Sequence, residues 1–132
     1  MTVDMEEKSM NTPKVFESEY HFMQILWEAE PVNSTRLVGL CRERLNWSKA
    51  TTYTVIRRLS ERGIVKNENT IVRSLVSREE VQGASIDELM ERTFNGSVPQ
   101  FFAAFTRRTK MKPEDVELLR QMIAEYESSE KG

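Results

Sequence analysis

Residues 33–63 read NSTRLVGLCRERLNWSKATTYTVIRRLSERG, and this stretch decides the fold. It contains two amphipathic helical patterns separated by a short turn. The first pattern begins after Asn33 and the second after Ser48, and both are favoured N-cap residues. Gly63 ends the second pattern, because glycine readily takes the left-handed conformation that closes a helix. Two helices joined so closely predict a helix-turn-helix.

The second helix of this pair has two chemically different faces. Its apolar face consists of Thr52, Val55, Ile56 and Leu59. Its other positions carry short, hydroxyl-bearing and basic side chains, namely Lys49, Ala50, Thr51, Tyr53, Thr54, Arg57 and Arg58. Such a set near a helix N-terminus is typical of a recognition helix, where small residues approach bases and cations reach phosphates. A solvated surface helix has a similar composition, so that alternative stays open at this point.

Positive charge is concentrated around the same helix. The 132-residue chain has a net charge of −2, but residues 33–66 contain eight basic and two acidic residues, a local charge of +6. Because salt screens charges over roughly 8–10 Å, this local balance matters more to a phosphate than the total does. We therefore predict that the DNA-binding surface lies in this segment.

The flanking segments complete a winged helix. An apolar stripe predicts a first helix over residues 18–29. After Gly63, short apolar runs on either side of a polar turn at residues 67–69 predict a β-hairpin, the wing. Lys66 and Arg73 are the candidate DNA contacts of this wing. We predict a flexible tail over residues 1–15 and a winged helix DNA-binding domain over residues 16–76.

Residues 77–132 predict a three-helix arm. A Ser-x-x-Glu capping box at Ser77, an N-cap at Ser97 and a first-turn proline at Pro113 mark the helix starts. The arm has more apolar residues than its short helices can bury among themselves, chiefly Phe101, Phe102, Phe105, Leu119, Met122 and Ile123. A second copy of the chain is the simplest partner, so we predict a helical dimerisation domain. Packing back onto the winged domain is the alternative. The fold class is mainly α: a winged helix-turn-helix with a C-terminal three-helix dimerisation arm.

The chain has very few of the histidines and cysteines on which zinc-type metal sites and many catalytic sites depend. His21 is the only histidine and Cys41 the only cysteine, so we expect no enzyme, no cofactor, no metal site and no internal disulfide. No apolar run approaches the ~18 residues of a membrane span, and no signal peptide is evident. We expect a cytoplasmic protein without membrane insertion.

Four segments carry a resemblance to a known family. Residues 19–28, EYHFMQILWE, resemble the first-helix signature of the BlaI/MecI penicillinase-repressor family, which includes the CopY-type copper repressors. Asn46-Trp47-Ser48, followed by Thr51 and Thr54, resembles the entry to its recognition helix. The segments LVSREE at 75–80 and FNGS at 94–97 resemble its post-wing segment and dimerisation arm.

The resemblance implies a homodimeric transcriptional repressor on a palindromic operator. In that family a membrane sensor protease triggers cleavage of an Asn-Phe bond within the arm, which releases the repressor. The corresponding bond here is Ala104-Phe105, and the asparagine is absent. The wing is also shorter than is usual in the family and lacks its Gly-Arg tip. Two alternatives stay open: a winged-helix protein-interaction module, which the shortened wing favours, and a small-molecule-sensing regulator with weak DNA binding.

Overall fold

The computed structural model describes residues 12–131. Its helices are α1 (Glu17–Ala29), α2 (Ser34–Leu45), α3 (Lys49–Glu61), α4 (Arg78–Phe94), α5 (Val98–Arg108) and α6 (Pro113–Lys131). Its strands are β1 (Val32–Asn33), β2 (Val65–Glu68) and β3 (Ile71–Ser74). This mainly helical chain with a small antiparallel sheet confirms the predicted winged-helix fold class. Of the tail predicted over residues 1–15, residues 1–11 lie outside the described part.

The predicted caps define the helix-turn-helix. The Asn33 side chain accepts a hydrogen bond from the Thr35 amide at 2.8 Å and starts α2. The Ser48 hydroxyl accepts one from the Thr51 amide at 3.1 Å and starts α3. Gly63, with φ of +76°, follows the end of α3 in the left-handed conformation that was predicted. Local sequence thus marks where both helices of the motif begin and where α3 ends.

The wing belongs to a three-stranded sheet with the order β1-β3-β2. The two residues Asn69 and Thr70 form its turn, both with positive φ. The turn therefore overlaps the predicted residues 67–69 only at Asn69, because residues 67 and 68 belong to β2, where they pair with β3. A two-residue loop with positive φ matches the twist of the strands that it joins. Strand β1 was not predicted, because two residues are too few to show a strand pattern.

Two compact units divide the described chain, residues 12–88 and 89–131. The first unit contains a continuous apolar core supplied by α1, α2, α3, the sheet and Val81 of α4. Its fully buried members include Phe22, Met23, Leu26, Leu37, Leu59, Ile64 and Val72.

The second unit contains the end of α4 together with α5 and α6. Phe94 and Phe101 pack edge to face with ring centroids 5.5 Å apart, and Phe101 stacks on Phe105 at 6.0 Å. Neither α5 nor α6 has a buried residue. No helix within residues 12–131 is both long and apolar enough to cross a membrane.

Candidate nucleic-acid interface

Helix α3 packs against the core along the predicted face. Thr52, Ile56 and Leu59 are buried, and Val55 is half-buried against the same core. The Thr52 hydroxyl also donates to the Ser48 carbonyl at 3.2 Å, which satisfies this buried polar group. One side of α3 is thereby committed to the protein interior, and the opposite side is left to face outward.

The predicted contact residues occupy the remaining positions of α3. Lys49, Ala50, Thr51, Arg57 and Arg58 are exposed, and Tyr53 and Thr54 are half-buried. Residues 50, 54 and 57 follow the i, i+4, i+7 spacing that places side chains along one line of a helix. We call Ala50, Thr54 and Arg57 the reading line. Exposed Glu61 continues the same side of α3 in its last turn.

Tyr53 has a contact that the sequence did not indicate. Its hydroxyl donates to the Ser34 hydroxyl at 3.3 Å, and Ser34 is a buried residue at the start of α2. Because its ring also packs against the core, Tyr53 connects α3 to the first turn of α2. A contact between residues 19 positions apart, on two different helices, leaves no local signal in the sequence.

The eight basic residues of segment 33–66 fall into two groups. Three of them pair with carboxylates: Arg44 with Glu28 at 2.8 Å, Arg62 with Glu19 at 2.7 Å and Lys66 with Glu68 at 3.6 Å. The other five have no ion pair with a carboxylate of residues 12–131, and they are Arg36, Arg42, Lys49, Arg57 and Arg58. We call these five the unpaired cations. The positive charge that remains available to a phosphate therefore lies on α2 and α3.

Arg62 has a structural role. Its guanidinium holds both carboxylate oxygens of buried Glu19, at 2.7 and 2.8 Å, and it also donates to the Lys14 carbonyl. The Glu19 carboxylate accepts a further hydrogen bond from the Phe16 amide at 3.0 Å. The hydrogen bond from Arg62 is the main cause that lowers the pKa of Glu19, and in return Glu19 raises the pKa of Arg62. This ion pair attaches the end of α3 to the start of α1, across 43 positions of sequence.

The predicted wing contacts surround an acidic residue. Lys66 and Arg73 pair across β2 and β3 in register. Both approach the Glu68 carboxylate, at 3.6 and 3.9 Å respectively. The wing thus carries its own counter-ion, which reduces the attraction that its two cations exert on a phosphate.

The candidate dimerisation residues remain at the surface of the second unit. Phe102, Phe105, Met122 and Ile123 are exposed, whereas Phe101 and Leu119 are half-buried. Sequence reasoning did not select three further exposed apolar residues of α5 and α6, namely Val98, Leu118 and Tyr126. The Ala104-Phe105 bond lies inside α5, and the Phe105 carbonyl accepts the Thr109 amide at 2.9 Å.

His21 and Cys41 are the only histidine and the only cysteine of the chain. His21 is exposed on α1. Cys41 is fully buried on α2, and burial raises the pKa of its thiol. Within residues 12–131 no group of three or more potential ligands is placed to hold a metal ion.

Comparison with known proteins decides the class of the molecule. The penicillinase repressor family matches residues 16–125, which covers both units. The chain belongs to this family. The repressor is 28% identical over 117 residues to an uncharacterized 16.5 kDa protein from the ptsI 3′ region of Latilactobacillus sakei, covering 86% of the chain and 80% of that relative.

Two relatives have names that describe regulation. The repressor is 22% identical over 116 residues to the methicillin resistance regulatory protein MecI of Staphylococcus aureus, covering 85% of the chain and 94% of that relative. It is 20% identical over 124 residues to the penicillinase repressor of Bacillus licheniformis, covering 90% and 96%. These matches confirm the family resemblance and identify a DNA-binding transcriptional repressor, a class of regulators that are generally not enzymes.

Proposed function

We propose that this repressor binds a palindromic operator in the cytoplasm as a homodimer and reads each half-site with α3. The reading line is the observation that carries the proposal. Ala50 and Arg57 are exposed, Thr54 is half-buried beside them, and the opposite face of α3 is fixed in the core. A helix held in this way presents its outer side chains in one defined orientation.

The chemistry of this surface fits the major groove. Ala50 and the Thr51 methyl group are small enough to approach a thymine methyl group. Thr54 carries a hydroxyl that donates to or accepts from a base edge, and Arg57 has the planar fork that matches guanine or a phosphate. Two such helices in a dimer read half-sites about one DNA turn (~34 Å), or a multiple of it, apart.

The five unpaired cations provide the electrostatic part of binding. Each cation that neutralises a phosphate releases counter-ions, so affinity falls with salt by about one log-log slope unit per contact. Arg44 and Arg62 contribute less to this term, because each is held by a carboxylate of the repressor itself.

Dimerisation provides the recognition helix that reads the second half-site, and loss of dimerisation provides a means of release from DNA. The exposed apolar residues of α5 and α6 fit a surface that a second copy covers. Separation of the copies removes the contribution of one recognition helix, so any event that breaks the arm weakens repression. Cleavage at Ala104-Phe105 by a membrane sensor protease is one such event, and it requires α5 to unwind locally.

A matched pair of arginine variants tests the reading surface. Arg57→Ala removes an unpaired cation from the reading line, whereas Arg44→Ala removes an exposed arginine that already pairs with Glu28. We expect Arg57→Ala to weaken operator binding about tenfold or more and Arg44→Ala to change it less than about twofold. Fluorescence anisotropy at two salt concentrations, on an operator selected from random duplexes, measures both. Equal effects of the two variants would place the reading surface elsewhere.

A winged-helix protein-interaction module is the second candidate. The position of Glu68 between the two wing cations favours it, because this weakens one of the usual DNA contacts of a winged helix. Retention on duplex DNA that decreases with salt distinguishes the two functions. A protein-interaction module would show no such retention.

A further inference from the structure

The tip of the wing contains a threonine in an unfavourable backbone conformation. Asn69 and Thr70 have φ of +53° and +65°. Asparagine tolerates this left-handed region, but for a β-branched residue it is a clear outlier. Glycine is the ordinary residue at such a turn position. Strain of this kind persists only where the surrounding structure holds the residue in place, and it is concentrated at functional sites.

Two hydrogen bonds hold Thr70 against the start of α2. Its carbonyl accepts the Ser34 amide at 2.8 Å, and its hydroxyl oxygen accepts from the Asn33 side-chain nitrogen at 3.3 Å. The same Asn33 side chain caps α2 through its oxygen, which accepts the Thr35 amide at 2.8 Å. The Thr70 hydroxyl therefore helps to fix the orientation of the residue that starts α2.

The contacts continue from α2 to α3. Ser34, whose amide is bound by Thr70, accepts the Tyr53 hydroxyl with its own side chain at 3.3 Å. Tyr53 lies next to Thr54 of the reading line. An uninterrupted series of hydrogen bonds thus runs from the wing tip, through the first turn of α2, to the recognition helix.

We propose that Thr70 is a positioning residue for DNA recognition. Its hydroxyl holds the wing tip against Asn33 and its carbonyl holds it against the neighbouring Ser34. Through Ser34 and Tyr53 these contacts set the orientation of the reading line relative to the wing. The strain at Thr70 is retained because a glycine at this position would lose the side-chain contact to Asn33. The inference rests on the proposed operator binding and adds a residue outside α3 that controls it.

The substitution Thr70→Gly distinguishes a role of Thr70 in positioning α3 from a role in the stability of the fold. Glycine relieves the backbone strain and keeps the carbonyl bond to Ser34, but it removes the hydroxyl. We expect the melting temperature to stay unchanged or to rise by about 2–5 °C. Operator affinity should fall about five- to tenfold, because the orientation of α3 is less tightly fixed. Thr70→Ser, which retains the hydroxyl, should bind within about twofold of wild type.

The neighbouring turn residue provides the matched control. Asn69 also has a positive φ, and it is its backbone carbonyl, not its side chain, that accepts the Thr70 hydroxyl. We therefore expect Asn69→Gly to bind like wild type. Equal losses from Asn69→Gly and Thr70→Gly would mean that the wing tip touches DNA directly, which overturns the inference. A Thr70→Gly variant that binds like wild type, or that loses affinity together with stability, also overturns it.

A double-mutant cycle with Ser34→Ala tests the proposed route. Ser34→Ala removes the acceptor of the Tyr53 hydroxyl without touching the wing. If Thr70 acts through Ser34, the double variant should lose less affinity than the two single losses together. Additive losses would contradict this route. If the wild type itself shows no sequence-specific binding, the proposed function fails and the inference fails with it. If the wild type binds its operator but the affinity losses of the two single variants simply add in the double variant, only the inference is rejected.

Discussion

The two units of the described chain bury their apolar residues very differently. In residues 12–88, α1, α2, α3 and the sheet enclose a core whose central side chains are fully buried. In residues 89–131, α5 and α6 have no buried residue at all. Exposed apolar side chains of α6 include Leu118 (55%), Met122 (61%), Ile123 (61%) and Tyr126 (66%).

This difference in burial indicates that the two units have different roles. The winged unit has the core that it needs to hold α3 in one orientation. The arm carries apolar surface of the kind that marks a protein–protein contact site. A substitution in the core should therefore act on folding, whereas one on α5 or α6 should act on assembly.

The largest expected effect comes from the same substitution made in each unit. Phe22 is fully buried and stacks on Trp47, whereas Phe102 is 44% exposed. Phe22→Ala should reduce the free energy of unfolding by about 3–5 kcal/mol, because it leaves a cavity in a packed core. Phe102→Ala should reduce it by less than about 1 kcal/mol when measured on the dilute chain. Urea denaturation of both variants tests the contrast, and comparable losses would show that the arm has a core of its own.

The next effect concerns assembly. Ile123→Glu places a charge among the exposed apolar residues of α6 and should weaken the homodimer about 30-fold or more, since a buried unpaired charge is costly. Gln121→Glu adds the same charge to the same helix and serves as the control. Sedimentation equilibrium measures the dimer dissociation constant, and circular dichroism should show unchanged helix content. A dimer that tolerates Ile123→Glu but not Gln121→Glu would place the interface on another face of α6.

The smallest effect concerns the ion pair within the winged unit. The pKa of Glu19 in the folded chain lies below its ordinary value of 4.5, chiefly because Arg62 hydrogen-bonds the carboxylate. As the pH falls below about 4.5, the unfolded chain binds the proton first, so the stabilisation is lost progressively toward the lower folded pKa. Glu19→Gln should cost about 1–2 kcal/mol at neutral pH, a value between those of buried and surface pairs.

Unfolding free energies of both proteins at several pH values check this prediction. Below about pH 4.5, the free energy of unfolding of the Glu19→Gln variant should fall less steeply with decreasing pH than that of wild type, because the variant lacks the titrating group. Equal slopes for the two proteins would mean that Glu19 does not contribute to the pH dependence of stability.

Local signals allowed much of the fold to be predicted from the sequence. These signals act over one to four residues, so a single sequence is enough to recognise them. They are the caps Asn33, Ser48 and Ser97, the capping box at Ser77 and the left-handed Gly63. Apolar periodicity likewise identified the buried face of α3. The two residues of β1 were missed because their conformation depends on pairing with β3, far along the chain.

The candidate interface was less predictable than the fold. The sequence gives the number of basic residues in segment 33–66, but not which of them pair with carboxylates. The Glu19–Arg62 pair, the two wing cations around Glu68 and the Tyr53–Ser34 contact depend on tertiary folding. Contacts of this kind determine which basic residues pair with carboxylates of the chain and which are the unpaired cations.

Selection from a pool of random-sequence duplexes tests the central claim most directly. The bound fraction is sequenced at two salt concentrations after incubation with the full chain. If two α3 helices in a dimer read the operator, the enriched sequences should contain an inverted repeat with half-sites about 10 base pairs, or a multiple of that, apart. Salt-dependent binding that enriches no repeated motif would contradict operator recognition by a dimer.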